Sequence, residues 1–479
     1  MKKQYNYIKN ATILSCIAGI VTASVLTSCK KVIDVGQPKT LINTANIYLS
    51  NSTAEAVVSG LYANLASTGH MYNGSGSLTI QQGLAADELK DYSSSATGTT
   101  MFYINALNSN NTYYWQEIFS ELFTCNSAIA GLTSSTALNP AIQQQLIGDM
   151  KFARAFIFFN AVNLYGDVPL ALSTDPAVNN VISRSPAATV LNQVIQDLTD
   201  AQNLLPDNKY VTLANGTPTD RFLPNKQTAS ALLARVYLYM KDWKNAETQS
   251  SNVISASSYV LEPVLTNVFL RTSRETIWDL QPISATSANG DAYSLIMTGV
   301  PNGIVNVYAL SPNLLSAFES GDKRFTNWVG QIQSGTTTYY FAYKYKQNTV
   351  TGTSGVTEYP IMFRLAEQYL IRAEARAEQN NLAGAETDLD AIRTRAGLGN
   401  TTATNQTDLL NAIYHERQIE LFLESGHRWF DLKRTGQLDA VMNIVAPQKG
   451  GAWSPYKALI PIPASEISTN PHLTQNPGY

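Results

Sequence analysis

Residues 227–255 and 363–396 read as one pair of helices written twice. Placing Ala246-Glu247-Thr248 on Ala385-Glu386-Thr387, an offset of 139 residues, brings Leu232 onto Ile371, Ala234 onto Ala373 and Val253 onto Ile392. In each copy a short turn joins two helices, and small residues stand where the two must approach closely. A single pair cannot bury its own apolar stripe, so the pattern demands helical neighbours and a mainly α scaffold. Aromatic Tyr237 in the first copy becomes Arg376 in the second. The repeat is therefore degenerate, which suits scaffolding better than a peptide-binding array.

The arrangement is that of a tetratricopeptide-like hairpin. Helical spacing also marks Thr53–Leu65, Trp115–Leu132, Gln143–Tyr165, Ala187–Leu204 and Leu409–Ser425. The third of these stops at Gly166-Asp167-Val168-Pro169, where Gly ends a helix and Pro forbids its resumption. Glu275–Gln281 alternates like a strand, and Thr337–Tyr345 is β-prone. Between these elements lie two long regions of irregular composition. Residues 70–111 are dense in Gly, Ser, Thr and Asn with interspersed Tyr, and 284–345 are loop-rich. Segments of that length are too long for plain connections, which marks them as functional loops or disorder.

Of the 479 residues, 44% are hydrophobic and 14% charged, enough apolar surface for a sizeable core. The N-terminus runs Met1-Lys2-Lys3, then an uncharged, mostly apolar stretch from Ala11 to Ser28, then Cys29. This is the order of a secretory signal. Ser, Thr and one Gly dilute the stretch and it ends on small residues, which disfavours a membrane span. Residues 1–28 hold three Lys and no acid, leaving 30 basic and 36 acidic side chains, a formal charge of −6. That balance gives no basis for nucleic-acid binding.

Leu26-Thr27-Ser28-Cys29 is similar to the lipobox of bacterial lipoproteins. The resemblance implies that Cys29 carries the acyl chains, and two or more such chains make a stable anchor. Cys16 would leave with the signal, so Cys125 has no intramolecular partner and reads as a small buried apolar residue.

Catalytic and cofactor chemistry is thinly represented. His70, His415, His427 and His472 show no metal-ligand spacing, and Gly74-Ser75-Gly76-Ser77 lacks the Lys of a phosphate loop. No metal or organic cofactor is expected. Two acid pairs could form a glycosidase dyad, Glu416/Glu420 and Asp87/Glu88. The first sits among Arg residues on a helix, where charge pairing is the simpler use; Glu416, Arg417, Glu420, Glu424 and Arg428 suit a lattice of Arg–carboxylate pairs.

Five segments in order resemble the SusD/RagB family along nearly the whole chain after residue 28. They are Lys151-Phe152-Ala153-Arg154-Ala155-Phe156 with Leu164-Tyr165-Gly166-Asp167-Val168-Pro169; Arg364-Leu365-Ala366-Glu367 through Ala375 and on to Leu398; His415-Glu416-Arg417-Gln418-Ile419-Glu420; Glu424 through Arg434; and the close Gln475-Asn476-Pro477-Gly478-Tyr479. The Arg that opens the family's first motif is absent here, with Lys151 following Gly148-Asp149-Met150. The resemblance implies a SusD-like fold, mainly α, with a few short strands. It divides the chain into a signal peptide at 1–28, an N-terminal region at 29–225, a helix pair at 226–270 and a C-terminal region at 271–479, with 29–479 as one globular unit. It further implies an outer-membrane lipoprotein facing the cell exterior, not an enzyme, that binds glycan and serves a SusC-like TonB-dependent transporter. Peptide cargo is the alternative within the family, and a glycoside hydrolase is the least favoured reading.

Sugars offer CH faces to aromatic rings and hydroxyls to polar side chains, so ligand contacts are expected from loop aromatics. Trp115, Trp243, Trp278 and Trp429 fall in elements or motifs and read as packing. The candidates are Tyr72, Tyr92 and Tyr103 in the first loop region and Tyr293, Tyr308 and Trp328 in the second. Asp87, Asp91 and Asn289 are candidate hydrogen-bonding partners.

Overall fold

The computed structural model describes residues 47–94, 98–207, 221–283, 288–350 and 355–479. The signal segment 1–28 and Cys29 lie outside the described residues. Tyr48–Tyr479 pack as one unit.

The N-terminal half comprises α1 (Asn51–Leu65), α2 (Leu78–Ala85), β1 (Leu89–Asp91), α3 (Gly98–Tyr103), α4 (Trp115–Ser134), α5 (Pro140–Tyr165), a single turn α6 (Pro176–Asn179) and α7 (Ala187–Leu204). Then come the first hairpin α8 (Lys226–Tyr239) and α9 (Trp243–Ile254), β2 (Thr276–Asp279), α10 (Gly290–Leu295), β3 (Tyr308–Leu310), α11 (Pro312–Ala317) and α12 (Lys323–Trp328). A β4–β5 ribbon (Val329–Ser334, Thr337–Ala342) and β6 (Ile361–Arg364) lead into the second hairpin, α13 (Leu365–Glu378) and α14 (Leu382–Arg395). The chain closes with α15 (Gln406–Glu420), α16 (His427–Arg434), α17 (Leu438–Gln448) and α18 (Ala464–Thr469).

The 139-residue repeat extends to the turns. Lys241 and Asn380, at the same repeat position, both adopt positive φ, 59° and 62°. The next residues, Asp242 and Asn381, each cap the second helix through a side chain that accepts from Asn245 N and Gly384 N respectively. Ala234, Ala246, Ile371 and Ala375 pack together between the hairpins. Arg376, where the repeat departs from Tyr237, bonds Glu247 of the first hairpin (2.8 Å) and Asp388 of its own (2.9 Å). The departure thus ties the two copies together.

α5 runs through the centre of the core. From Phe152 to Tyr165 every residue is buried, so the helix is apolar on nearly all sides because other elements surround it. Among the described residues no helix is long and apolar enough to cross a membrane. Cys125 is a free, buried thiol.

The strands are short and long-range. β1 pairs antiparallel with β3, with Lys90 opposite Ala309, and β2 pairs antiparallel with β6. These pairs staple loop regions that are far apart in sequence onto the helical scaffold.

Candidate ligand-binding surface

The two loop regions converge. Asn73 Oδ1 accepts from Gly290 N (2.8 Å), and Asp291 Oδ1 accepts from Gly74 N and from the Ser77 hydroxyl (both 2.8 Å). A Cβ on Gly290 would come within 2.9 Å of Gly74 Cα, so only Gly permits this approach. Burial pushes the Asp291 carboxyl up to about 6, against hydrogen bonds that favour its ionised form. Further along, Tyr92 N donates to Val307 O (2.8 Å) and Ser94 N to Gly303 O (3.0 Å).

Tyrosines line the joined edge. The Tyr92 ring meets Tyr339 edge-on, with centroids 5.6 Å apart, and Lys90 Nζ stands 4.7 Å from the Tyr92 centroid. Tyr339 and Phe341 stand two residues apart on β5 and so share one side of the ribbon, and Tyr343 follows just past its end with its ring 5.7 Å from that of Phe341. Buried Phe341, Met297 and Ala309 form the base, and half-buried Tyr92, Tyr339 and Tyr343 flank it. Tyr293, on α10, is 68% exposed, and the loop beyond it carries the exposed apolar residues Val300, Ile304 and Val305. Asp91 accepts from Ser93 N and the Ser93 hydroxyl (2.8 and 2.6 Å), so it holds its own loop. Tyr103 is half-buried with Lys449 Nζ 5.3 Å from its centroid. On the α4 side, Gly76, Gln81, Thr99, Tyr113 and Glu117 help line a groove of about 290 Å³.

Five of the candidate contact residues do not face solvent. Tyr72 is buried, stacked between His70 (5.4 Å) and Phe156 (4.8 Å). Tyr308 is buried on β3, where strand pairing turns it inward. Trp328 is fully buried, its Nε1 donating to Leu265 O (2.9 Å) and its ring facing Lys344 Nζ at 4.9 Å and Phe269 at 5.5 Å. It ends a six-residue helix inside a loop-rich stretch, too short to show a period. Asp87 is buried with both oxygens on Arg428 (2.7 Å each). Asn289 is likewise buried, its side chain capping α10. Tyr92, Tyr103 and Tyr293 remain available. Sequence reasoning did not single out Tyr339 and Tyr343; the alternation along β5 is the signal that could have found Tyr339.

The motif charges form a buried lattice. Arg364 bonds Glu275 (2.9 Å), Glu420 (2.5 Å) and Glu424 (2.7 Å). Arg324 bonds Asp322 (2.8 Å), Glu416 (2.5 Å) and Glu420 (2.9 Å). Arg395 reaches Glu275 (2.7 Å) and Glu420, and Lys344 reaches Glu424 (2.5 Å). Burial would raise the Glu420 carboxyl, yet Arg395, Arg364 and Arg324 hold it well below the usual carboxylate range. A general acid needs the opposite shift. Glu88 does shift that way, to about 8 through burial, but it is enclosed and accepts from Leu423 N (3.0 Å). Among the described residues no cluster of His, Cys, Asp and Glu could hold a metal ion.

This mainly helical scaffold has known counterparts. The family described as "SusD family" matches residues 319–479, and the one described as "Starch-binding associating with outer membrane" matches residues 33–238. A SusD-like protein, P2, of Formosa agariphila is 27% identical over 505 residues, spanning 92% of this chain and 95% of that one. A SusD superfamily protein from Bacteroides vulgatus superposes with a TM-score of 0.75 at 20% identity, over 90% of this chain and 99% of the other. A laminarin binding SusD-like protein superposes at 0.74 and 23% identity, over 89% and 99%. The chain belongs to the SusD/RagB family.

Proposed function

We propose that this protein captures oligosaccharide at the cell surface and delivers it to a SusC-like TonB-dependent transporter, without itself cutting the chain. One observation carries the reading: two loop regions some 200 residues apart are drawn together so that Tyr92, Tyr339, Tyr343 and Tyr293 stand along one edge with few charges. Aromatic faces beside hydroxyl and amide groups are the chemistry that binds sugar rings. The family description "Starch-binding associating with outer membrane" and the laminarin-binding structural relative support glycan as the cargo. The acids that could hydrolyse a glycosidic bond are instead engaged by Arg or enclosed. Exposed Val300, Ile304 and Val305 beside the tyrosines support a protein partner at the same edge.

Anchoring to the outer membrane rests on Cys29. Calorimetry of the chain from residue 30 onward against a panel of neutral polysaccharides tests the binding, with micromolar to millimolar affinity expected. No heat with any polymer would refute it. Fractionation of cells lacking the transporter tests the anchor: Cys29→Ala is expected to leave the membrane fraction, and its retention there would exclude lipidation as the tether.

A further inference from the structure

A second cavity, of about 350 Å³, opens between α4, the segment 169–182 that follows α5, and the chain around α18. Its aromatic side comes from one stripe of α4. Trp115 is fixed edge-on against Tyr165 (5.1 Å) and packs on Phe119 (4.6 Å), while Phe119 is half-buried and Phe123, one turn on, is 50% exposed. The rest of the lining is amide-rich and held by hydrogen bonds, beginning with Asn126, which continues the α4 stripe one turn beyond Phe123. Asn126 Nδ2 donates to Ala171 O (2.8 Å), and its Oδ1 accepts from Arg154, which Asp197 grips through two bonds (2.8 and 2.6 Å). Asn179 Nδ2 donates to Ser173 O (2.8 Å) and Asn470 Nδ2 to Ile182 O (2.9 Å). A cavity whose walls are locked in this way is preformed, so a ligand would pay little to order it.

Several polar groups at this cavity are unused. Among the described residues the side chains of Gln116, Asn180 and Glu466 make no hydrogen bond, and the buried Asn179 Oδ1 accepts none. No Lys or Arg lines the cavity, and Glu466 is its one charged group.

We propose that this cavity is a second carbohydrate site, separate from the tyrosine edge, which takes one or two neutral sugar rings. The inference rests on the glycan-binding reading above. The size stands at the lower end for small-molecule sites, room for a short oligosaccharide end and not for a long chain. Phe119 and Phe123 present ring faces to sugar CH groups, and Gln116 and Asn180 meet hydroxyls as both donor and acceptor. Glu466 can only accept. Because Glu466 is the one charged group in the lining, uronate and sulfated sugars would enter against its charge.

Calorimetry with maltotriose, laminaritriose and trigalacturonate on four proteins decides the matter: wild type, Tyr92→Ala/Tyr339→Ala, and that double variant carrying in addition either Phe119→Ala or Gln116→Ala. With at least one neutral trisaccharide the wild type should bind two equivalents and the double-tyrosine variant should retain one. Adding Phe119→Ala or the exposed Gln116→Ala to that variant should weaken the retained site at least tenfold, and trigalacturonate should not bind there. A single wild-type equivalent abolished by the tyrosine pair would overturn the second site and leave the glycan reading standing. A retained site indifferent to both Phe119→Ala and Gln116→Ala would overturn the assignment to this cavity. No binding of either neutral sugar would overturn both readings. Because Gln116 is exposed and without a partner, its variant remains informative even if Phe119→Ala unfolds.

Discussion

The motif helices and the tyrosine loops use the same chemical vocabulary in opposite ways. Around α13–α16 the Arg and Glu side chains are enclosed and bonded to one another, and Trp328 covers their cations from within the core. Along the β1–β3 and β4–β5 edge Tyr308 and Phe341 are buried, but Tyr92, Tyr339 and Tyr343 are left half open, with few charges among them. The contrast teaches that the residues by which the family is recognised hold the scaffold, and it leaves residues with less packing to do for the cargo recognition proposed above.

The sharpest way to break this contrast is to cut the lattice. Arg364→Ala removes the cation shared by buried Glu275, Glu420 and Glu424, leaving them only Arg395, Arg324 and Lys344, and truncating one partner of such a set costs about 3–5 kcal/mol. A large drop in melting temperature is expected, with Arg364→Lys failing to restore it because a point charge cannot reproduce the forked contacts. Unchanged stability would show that the motif residues serve something other than the fold. Trp328→Ala tests the same border from the aromatic side. Its removal opens a core cavity at a cost of about 3–5 kcal/mol, so denaturant midpoints should shift before any selective binding defect is seen.

A smaller effect comes from pH. Burial raises the Glu88 carboxyl to about 8 in the folded chain, against an ordinary carboxylate value when unfolded. Between those values the folded state keeps a proton that the unfolded state has lost. Stability is therefore full in acid and declines as pH rises through about 8, by on the order of 1–3 kcal/mol between pH 6 and 8. Urea unfolding at the two pH values should show the wild type falling relative to Glu88→Gln, which has no carboxyl to ionise. Parallel behaviour of the two proteins would mean that Glu88 titrates normally.

On the loop side, Tyr92→Ala or Tyr339→Ala should weaken oligosaccharide binding by about 2 kcal/mol, roughly thirtyfold, with the melting temperature little altered. Smallest of all, Tyr293→Ala should change stability by less than about 0.5 kcal/mol, because its ring is already in water. A Tyr293 variant that melts much lower would indicate that the outward edge is a packing layer and not a surface for cargo.

Helices with a regular apolar stripe and recognisable ends were legible in the sequence: Ala187–Leu204 has the bounds its spacing predicts, and the Gly166 stop falls where expected. α2 was not. Seven of its eight residues are buried, so it has no polar side to generate a period, and it lies in a run rich in Gly and Ser. Arg428 shows the same limit for charge. Helical spacing suggested neighbours on its own helix, but its partner is Asp87, 341 residues away.

The sequence by itself determined the scaffold. Periodicity and caps are local properties, written in residues three, four or a few positions apart, and the 139-residue repeat writes the same local pattern of a helical hairpin twice. It also carried the charges that had to be paired once buried. Which tyrosines face water, which acid meets which Arg, and that loops near residues 74 and 290 become one edge were decided only in the tertiary structure. Those outcomes depend on contacts between segments separated by tens to hundreds of residues, and burial is a property of the packed neighbours rather than of the residue that is covered.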